Sequence, residues 1–200
     1  MAFEWKWLRS DFDDPSERGS FAALRIAFGD QLVTRIYDHV SGGERDAVNI
    51  PLYSLALCIA ENWWTLLHEP RKKAYEDDYR IETRHSLDAY VHGFAFPAMT
   101  IWSAGEDAII VETPDIQQQF FGLEFFSQRS EATILPRAEF EQNLFSLVTS
   151  VVDRVCRNGT GAELREAWDR VLASLNDIEE LKYCLAAGRI GTNPYMIPTQ

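Results

Sequence analysis

The sequence predicts an α+β fold, in which a small antiparallel sheet of hairpins packs on a central hydrophobic helix and a C-terminal part of about three helices follows. Two observations indicate this class. Strand-like segments separated by turn residues come first and helical periodicity comes afterwards, and no strand–helix alternation typical of doubly wound folds joins them. With 200 residues, 46% of them hydrophobic, the chain can build a single core. We therefore expect a mixed part, 1–135, and a helical part, 136–200, that together form one compact domain.

The mixed part contains two hairpin patterns. After a predicted edge strand and a loop in the first 20 residues, "FAALRIAFGDQLVTRIYDHV" has two runs of β-forming residues around Gly29 and Asp30, which are typical of a tight turn. The segment "FAFPAMTIWSAGEDAIIVETP" repeats the pattern with a turn at 104–107. The segment "GLEFFSQRSEATI" then predicts one further strand.

Helical patterns occupy the middle and the end of the chain. Residues 52–68 are apolar nearly all round, which predicts one central helix buried in the protein. Apolar residues recur with helical spacing over 140–155, and Thr160 with Glu163 forms a capping-box pattern before the next helix. A third helix is predicted to begin near residue 176 and to end at Gly188. The side chains that we expect in the structural core include Trp63, Trp64, Trp168, Leu144 and Val151.

The composition narrows the class of protein. The formal net charge of −12, from 31 acidic and 19 basic residues, disfavours direct nucleic-acid binding, because that affinity comes largely from Lys and Arg. No apolar run approaches the roughly 18 residues that a membrane span needs. The three cysteines are far apart and form neither a disulfide nor a metal pattern. We expect a cytoplasmic protein without a cofactor.

The first two residues of a zinc-peptidase motif occur at the end of the predicted central helix, but the motif is not completed. His68 and Glu69 match the start of His-Glu-x-x-His, but the second His position is Lys72, and Pro70 interrupts the helix. Two interpretations of His68 remain open. Together with Glu61, on the same polar stripe, it lines a ligand pocket, or it lies at the exposed helix end, where a cation is favoured.

His85, Asp88 and His92 form the second candidate site. Spacings of three and four place them on one face of a short predicted helix, and all three are zinc-compatible residue types. One interpretation is a metal site of a metal-dependent hydrolase, for which no fourth ligand is identifiable. Another is an exposed rim between sheet and helix where a partner or signal is recognised, and the third is an idle solvated face.

Several stretches together resemble a known family. "LYSLALCIAENWWTLLHEP", "RHSLDAYVHGFAFPAMTIWSAGED", "LPRAEFEQNLFSLVTSVVDRV" and "LKYCLAAGRIGTNPY" are similar, in this order, to the region before the peptidase in long bacterial ImmA/IrrE-type metallo-endopeptidase proteins. The most specific elements are 62–64, 85–97 and 191–195, where the family more often has Asp in place of Asn193.

In that family the zinc motif follows the last of these stretches, so the resemblance carries over no catalytic residue. It implies a non-catalytic recognition or regulatory domain in bacterial stress response or in phage and mobile-element regulation. Its partner would be a protein, either a peptidase module in the same chain or a separate regulator. The acidic composition leaves open a second hypothesis, a stand-alone inhibitor or DNA-mimic protein of phage or plasmid origin.

Overall fold

The α+β class is confirmed, and the described part of the chain forms three antiparallel sheets in place of the single small sheet that we predicted. The architecture comes from a computed structural model. The residues that it describes are 1–70, 85, 87, 96–113, 119–120, 123–125 and 131–175.

The first sheet is built around a long central strand. Its strands are β1 (Ala2–Trp7), β2 (Phe21–Phe28), β3 (Gln31–Leu32) and β6 (Val48–Pro51). Strand β2 pairs with the other three, and its pairing of Phe28 with Gln31 confirms the tight turn at Gly29 and Asp30. Gly29 has a φ of 60°, a conformation that glycine adopts without strain.

Two smaller sheets divide a segment that the sequence presents as one strand. The second sheet contains β4 (Ile36–Asp38), β5 (Gly43–Arg45), β9 (Gln119–Phe120) and β10 (Leu123–Phe125). The third contains β7 (Thr100–Ser103), β8 (Ala108–Thr113) and β11 (Glu131–Pro136). The predicted turn at 104–107 is confirmed between β7 and β8. The single strand predicted over 122–134 is wrong, because β10 pairs with β4 whereas β11 pairs with β8.

A short helix, α1 (Pro15–Ser20), occupies a segment that we predicted as a loop, and Asp14 caps its N-terminus.

The predicted central helix, 52–68, consists of two helices in the structure, α2 (Leu52–Glu61) and α3 (Trp63–His68). Between α2 and α3, Asn62 has φ −109° and ψ 17°, and its Nδ2 donates to the Cys58 carbonyl at 3.0 Å. An Asn side chain that bonds to the backbone in this way competes with the helix, which explains the break.

The last described segment, 137–175, is helical. Helix α4 (Arg137–Val155) continues as a short 3₁₀ turn, 156–158, and α5 (Ala162–Leu175) follows. The predicted capping box is wrong: the Thr160 hydroxyl donates to the Val155 carbonyl at 2.8 Å and thus completes the end of α4. The third predicted helix, near 176–188, lies outside the described residues.

One continuous hydrophobic core includes residues of both predicted parts. Trp63, Trp168, Leu144 and Val151 are buried, and Trp64 is partly buried. The Trp63 and Trp168 rings meet edge to face, with their centroids 5.3 Å apart. The N-terminal strand also docks on α4, where the Phe3 amide donates to Asn143 Oδ1 at 3.1 Å. Among the described helices none is both long and apolar enough to cross a membrane.

Candidate functional site

Arg137 lies at the centre of a polar cluster inside the protein. It is the first residue of α4, and only 9% of its surface is exposed. Its Nη1 donates to the Leu67 carbonyl and to His68 Nδ1, and its Nη2 donates to Ser103 Oγ at 2.6 Å and to the Gly105 carbonyl. One guanidinium therefore joins the end of α3, strand β7, the β7–β8 turn and the start of α4.

The environment of Arg137 is unusual for a cation. Burial lowers the pKa of its guanidinium, while the carboxylates of Glu141, Asp107 and Glu106 act in the opposite direction. Its four side-chain acceptors are two carbonyls, a hydroxyl and an imidazole. Its Nε is buried and has no hydrogen-bond partner in the described part of the chain. The charge is thus held mainly by neutral dipoles.

His68 is a neutral hydrogen-bond acceptor in this cluster. Its Nδ1 lies 2.8 Å from Arg137 Nη1, and because a guanidinium can only donate, Nδ1 carries no proton. Burial, followed by the nearby charge of Arg137, lowers the pKa of His68 to about 4. The interpretation of His68 as a favoured cation at a helix end is therefore wrong. Its ring also packs on Trp64, with the centroids 5.1 Å apart.

His85 lies in the core and not on an exposed rim, so the prediction of its location was wrong. None of its surface is accessible to solvent. Its Nδ1 donates to the Ile101 carbonyl at 2.7 Å, and its ring stacks on Trp102 at a centroid distance of 3.6 Å. Asp88 and His92, its predicted companions, lie outside the described residues. Among those residues no group of three or more His, Cys, Asp or Glu is placed to hold a metal ion.

Glu69, which follows His68 in the chain, contacts both His85 and strand β7. Its Oε2 lies 3.8 Å from His85 Nε2, and its Oε1 accepts a hydrogen bond from Thr65 Oγ1 at 3.4 Å. Its carbonyl accepts the Ser103 amide at 3.0 Å. We use the name Arg137 cluster for the buried polar residues Thr65, Glu69, His85, Ser103 and Arg137 together with the partly buried His68.

Glu61 has a different environment from His68. It is exposed, and its pKa is raised by partial burial and by the nearby carboxylate of Glu163, while Arg170 acts in the opposite direction. Both of those neighbours belong to α5, whereas His68 faces Arg137 of α4. The two residues of the predicted pocket therefore meet different parts of the protein.

A groove runs along the outer face of α4. It has a volume of about 760 Å³. Its described lining has the helical spacing of a single face and consists of Gln142, Phe145, Ser146, Thr149, Ser150, Asp153, Arg154 and Arg157. The Phe145 ring anchors the floor, since it packs on Trp168 at a centroid distance of 5.0 Å. The groove thus combines one fixed aromatic ring with small hydroxyl side chains, and carries charges at one end.

Comparison with protein-family models, with curated proteins and with solved structures gives no match to this chain. The class of the protein therefore rests on the fold and on the arrangement of the residues described above.

The sequence does contain one indication that Arg137 has buried partners, which helical periodicity does not show. The N-terminus of a helix carries a partial positive charge, so a cation in the first turn is normally unfavourable. Arg137 follows Pro136 at the first position of α4. A basic residue at this position needs acceptors from elsewhere in the fold, and Arg137 finds them in α3 and in the β7–β8 turn.

Proposed function

We propose that this chain is a non-catalytic recognition domain of the kind that precedes the peptidase in ImmA/IrrE-type proteins, and that it binds a protein partner in the cytoplasm. The observation that carries the proposal is the shallow groove of about 760 Å³ whose described lining is one face of the long helix α4. Protein interfaces commonly pair a fixed aromatic anchor with surrounding polar side chains, and Phe145 among Ser146 and Ser150 has this arrangement.

The histidines support the non-catalytic part of the proposal. His68 and His85 each use Nδ1 in an internal hydrogen bond, to Arg137 and to the Ile101 carbonyl. Their positions suit a structural role better than one in catalysis. Zinc analysis of protein purified without chelators tests this part of the proposal, since stoichiometric zinc would favour a metal-dependent hydrolase.

The partner is tested by calorimetric titration of the chain with a purified peptidase module of the ImmA/IrrE type. We expect saturable binding of the wild-type chain. The double variant Ser146→Arg/Ser150→Arg places two long cations in the groove and should weaken binding at least about tenfold, which corresponds to about 1.4 kcal/mol. Ala173→Arg, on the exposed side of α5, is the matched control and should bind like the wild type.

Two results would contradict the proposal. If the wild-type chain shows no binding, the peptidase is not the partner. If the groove variant binds as tightly as the Ala173→Arg control, the groove is not the interface. Melting temperatures of both variants should stay close to that of the wild type, so that a loss of binding is not a loss of folding.

A further inference from the structure

The hydrogen bond between Arg137 and His68 can exist in only one protonation state of the imidazole. Arg137 Nη1 and His68 Nδ1 are 2.8 Å apart, and the guanidinium supplies the proton between them. If Nδ1 binds a proton, two N–H groups point at each other and two cations are in contact inside the protein. Neither a hydrogen bond nor an ion pair can form between them.

We propose that this contact is a proton-operated latch: it holds α3, the β7–β8 turn and the start of α4 together while His68 is neutral, and it opens when His68 binds a proton. The structure links the contact directly to the turn. The same guanidinium that meets His68 through Nη1 holds Ser103 and Gly105 through Nη2. If Arg137 moves away from His68, its bonds to Ser103 at the end of β7 and to Gly105 in the turn are broken or strained.

The charged or titratable groups of the described residues around the latch are Glu69 with His85, Glu106 and Asp107 of the turn, and Glu141 of α4. The carboxylate of Glu69, directly after the end of α3, is engaged with Thr65 and lies near His85. On the turn, Glu106 and Asp107 are exposed carboxylates that favour the charge of Arg137. They offer the released guanidinium a position closer to solvent.

On α4 the neighbouring group is Glu141. Burial raises the pKa of its carboxyl, while Arg137 acts to lower it. Glu141 is therefore a second group whose protonation changes the environment of Arg137 in acid, and the experiment must separate it from His68.

The closed and open states differ in their affinity for a proton. The pKa of His68 is about 4 in the closed state, against an ordinary value of 6.5. Closing the latch therefore releases a proton, and acid favours the open state as the pH falls from about 6.5 towards about 4. The latch is closed at neutral pH.

Hydrogen exchange followed by mass spectrometry tests the latch on the full chain. Protection factors, corrected for the intrinsic pH dependence of exchange, are measured at about pH 7 and about pH 5 for peptides that cover 100–107 and 137–143. In the wild type we expect protection of both segments to fall at least about tenfold on acidification, while protection of β1 and β2 falls less. His68→Asn keeps an acceptor near the position of Nδ1 but does not titrate. Its protection should change less than about twofold over the same range.

The controls decide between His68 and the other groups. Glu141→Gln should retain the acid-induced loss of protection, because His68 still titrates in it. If His68→Asn shows the same loss as the wild type, or if the wild type shows none, the latch is refuted.

Should His68→Asn fail to fold, NMR titration of the wild-type His68 ring decides. An ordinary pKa near 6.5 with unchanged protection of 100–107 would refute the latch, and a depressed pKa accompanied by loss of that protection would support it.

Discussion

Arg137 Nη1 donates to His68 Nδ1 at 2.8 Å, and this bond joins the first residue of α4 to the last residue of α3. The two residues are 69 positions apart in the sequence. The bond also explains how a cation is tolerated at the start of a helix, because the acceptors that hold it come from α3 and from the β7–β8 turn.

Arg137→Met should destabilise the protein by about 2 to 3 kcal/mol. The Leu67 carbonyl and the His68 imidazole lose their donor, each at about 1 to 3 kcal/mol if left unsatisfied, whereas the Gly105 carbonyl still accepts a hydrogen bond from Ser103 Oγ at 3.0 Å. The variant no longer buries a charge, which offsets part of this cost. Urea denaturation measures the change. Arg165→Met, at an exposed position of α5, is the control and should shift stability by less than about 0.5 kcal/mol. Equal stabilities of the two variants would show that the cluster is not a structural centre.

His85→Ala should lower stability by about 2 to 4 kcal/mol, because the variant loses the stack on Trp102 and leaves a cavity and an unpaired Ile101 carbonyl. Exposed His39 offers a matched control, and His39→Ala should cost less than about 1 kcal/mol. Thermal unfolding of both variants, compared with the wild type, measures these changes in stability. A melting temperature of His85→Ala equal to that of the wild type would restore the exposed-rim interpretation of His85.

Trp63 should tolerate Phe far better than Ala. The Trp63 Nε1 is buried without a hydrogen-bond partner in the described residues, so Phe removes an unsatisfied donor while it keeps an aromatic ring against Trp168. We expect Trp63→Ala to cost about 3 to 5 kcal/mol, and Trp63→Phe to cost less than about half of that. Denaturant titration by circular dichroism compares them. Similar losses for both variants would mean that the indole N–H has a partner or that its full volume is essential.

The two glycines between α4 and α5 should respond differently to Ala. Both have positive φ, 76° at Gly159 and 75° at Gly161, so Ala costs about 1 kcal/mol at either position for backbone strain. At Gly161 the added Cβ would also lie 2.9 Å from Val155 Cγ1, whereas at Gly159 it meets open space. Gly161→Ala should therefore lose at least about 1 kcal/mol more stability. Equal costs in urea denaturation would show that α4 and α5 shift apart freely.

The features that the sequence predicted correctly are local ones. The turn at Gly29 and Asp30 and the turn at 104–107 depend on residues a few positions apart, and so does the apolar face of α4. The break at Asn62 was not predicted, because the sequence does not show whether an Asn side chain in a helix bonds to the backbone, as Asn62 does to the Cys58 carbonyl.

The features that the sequence could not predict depend on distant partners. Alternation of side chains shows which residues of 122–134 face inward, but not that β10 and β11 belong to different sheets. In the sequence, His85 resembles a solvent-exposed residue. Its contacts with Ile101 and Trp102 are not apparent there, because Ile101 lies 16 positions further along the chain. The Arg137 cluster draws its members from four separate segments, at 65–69, 85, 103 and 137, so its existence becomes apparent only in three dimensions.

The docking of β1 on α4 has a consequence for synthesis on the ribosome. The Phe3 amide donates to Asn143, and the Phe3 ring packs edge to face on Phe140 with the ring centroids 6.2 Å apart. The first strand therefore cannot complete its packing until residues about 140 positions later have been synthesised. At a typical synthesis rate of about 5 to 20 residues per second, synthesis of the intervening residues takes about 7 to 28 seconds, during which this face of the nascent sheet stays uncovered. Translation intermediates that end before α4 should therefore bind chaperones through Phe3 and its neighbours, and release should coincide with emergence of α4 from the exit tunnel.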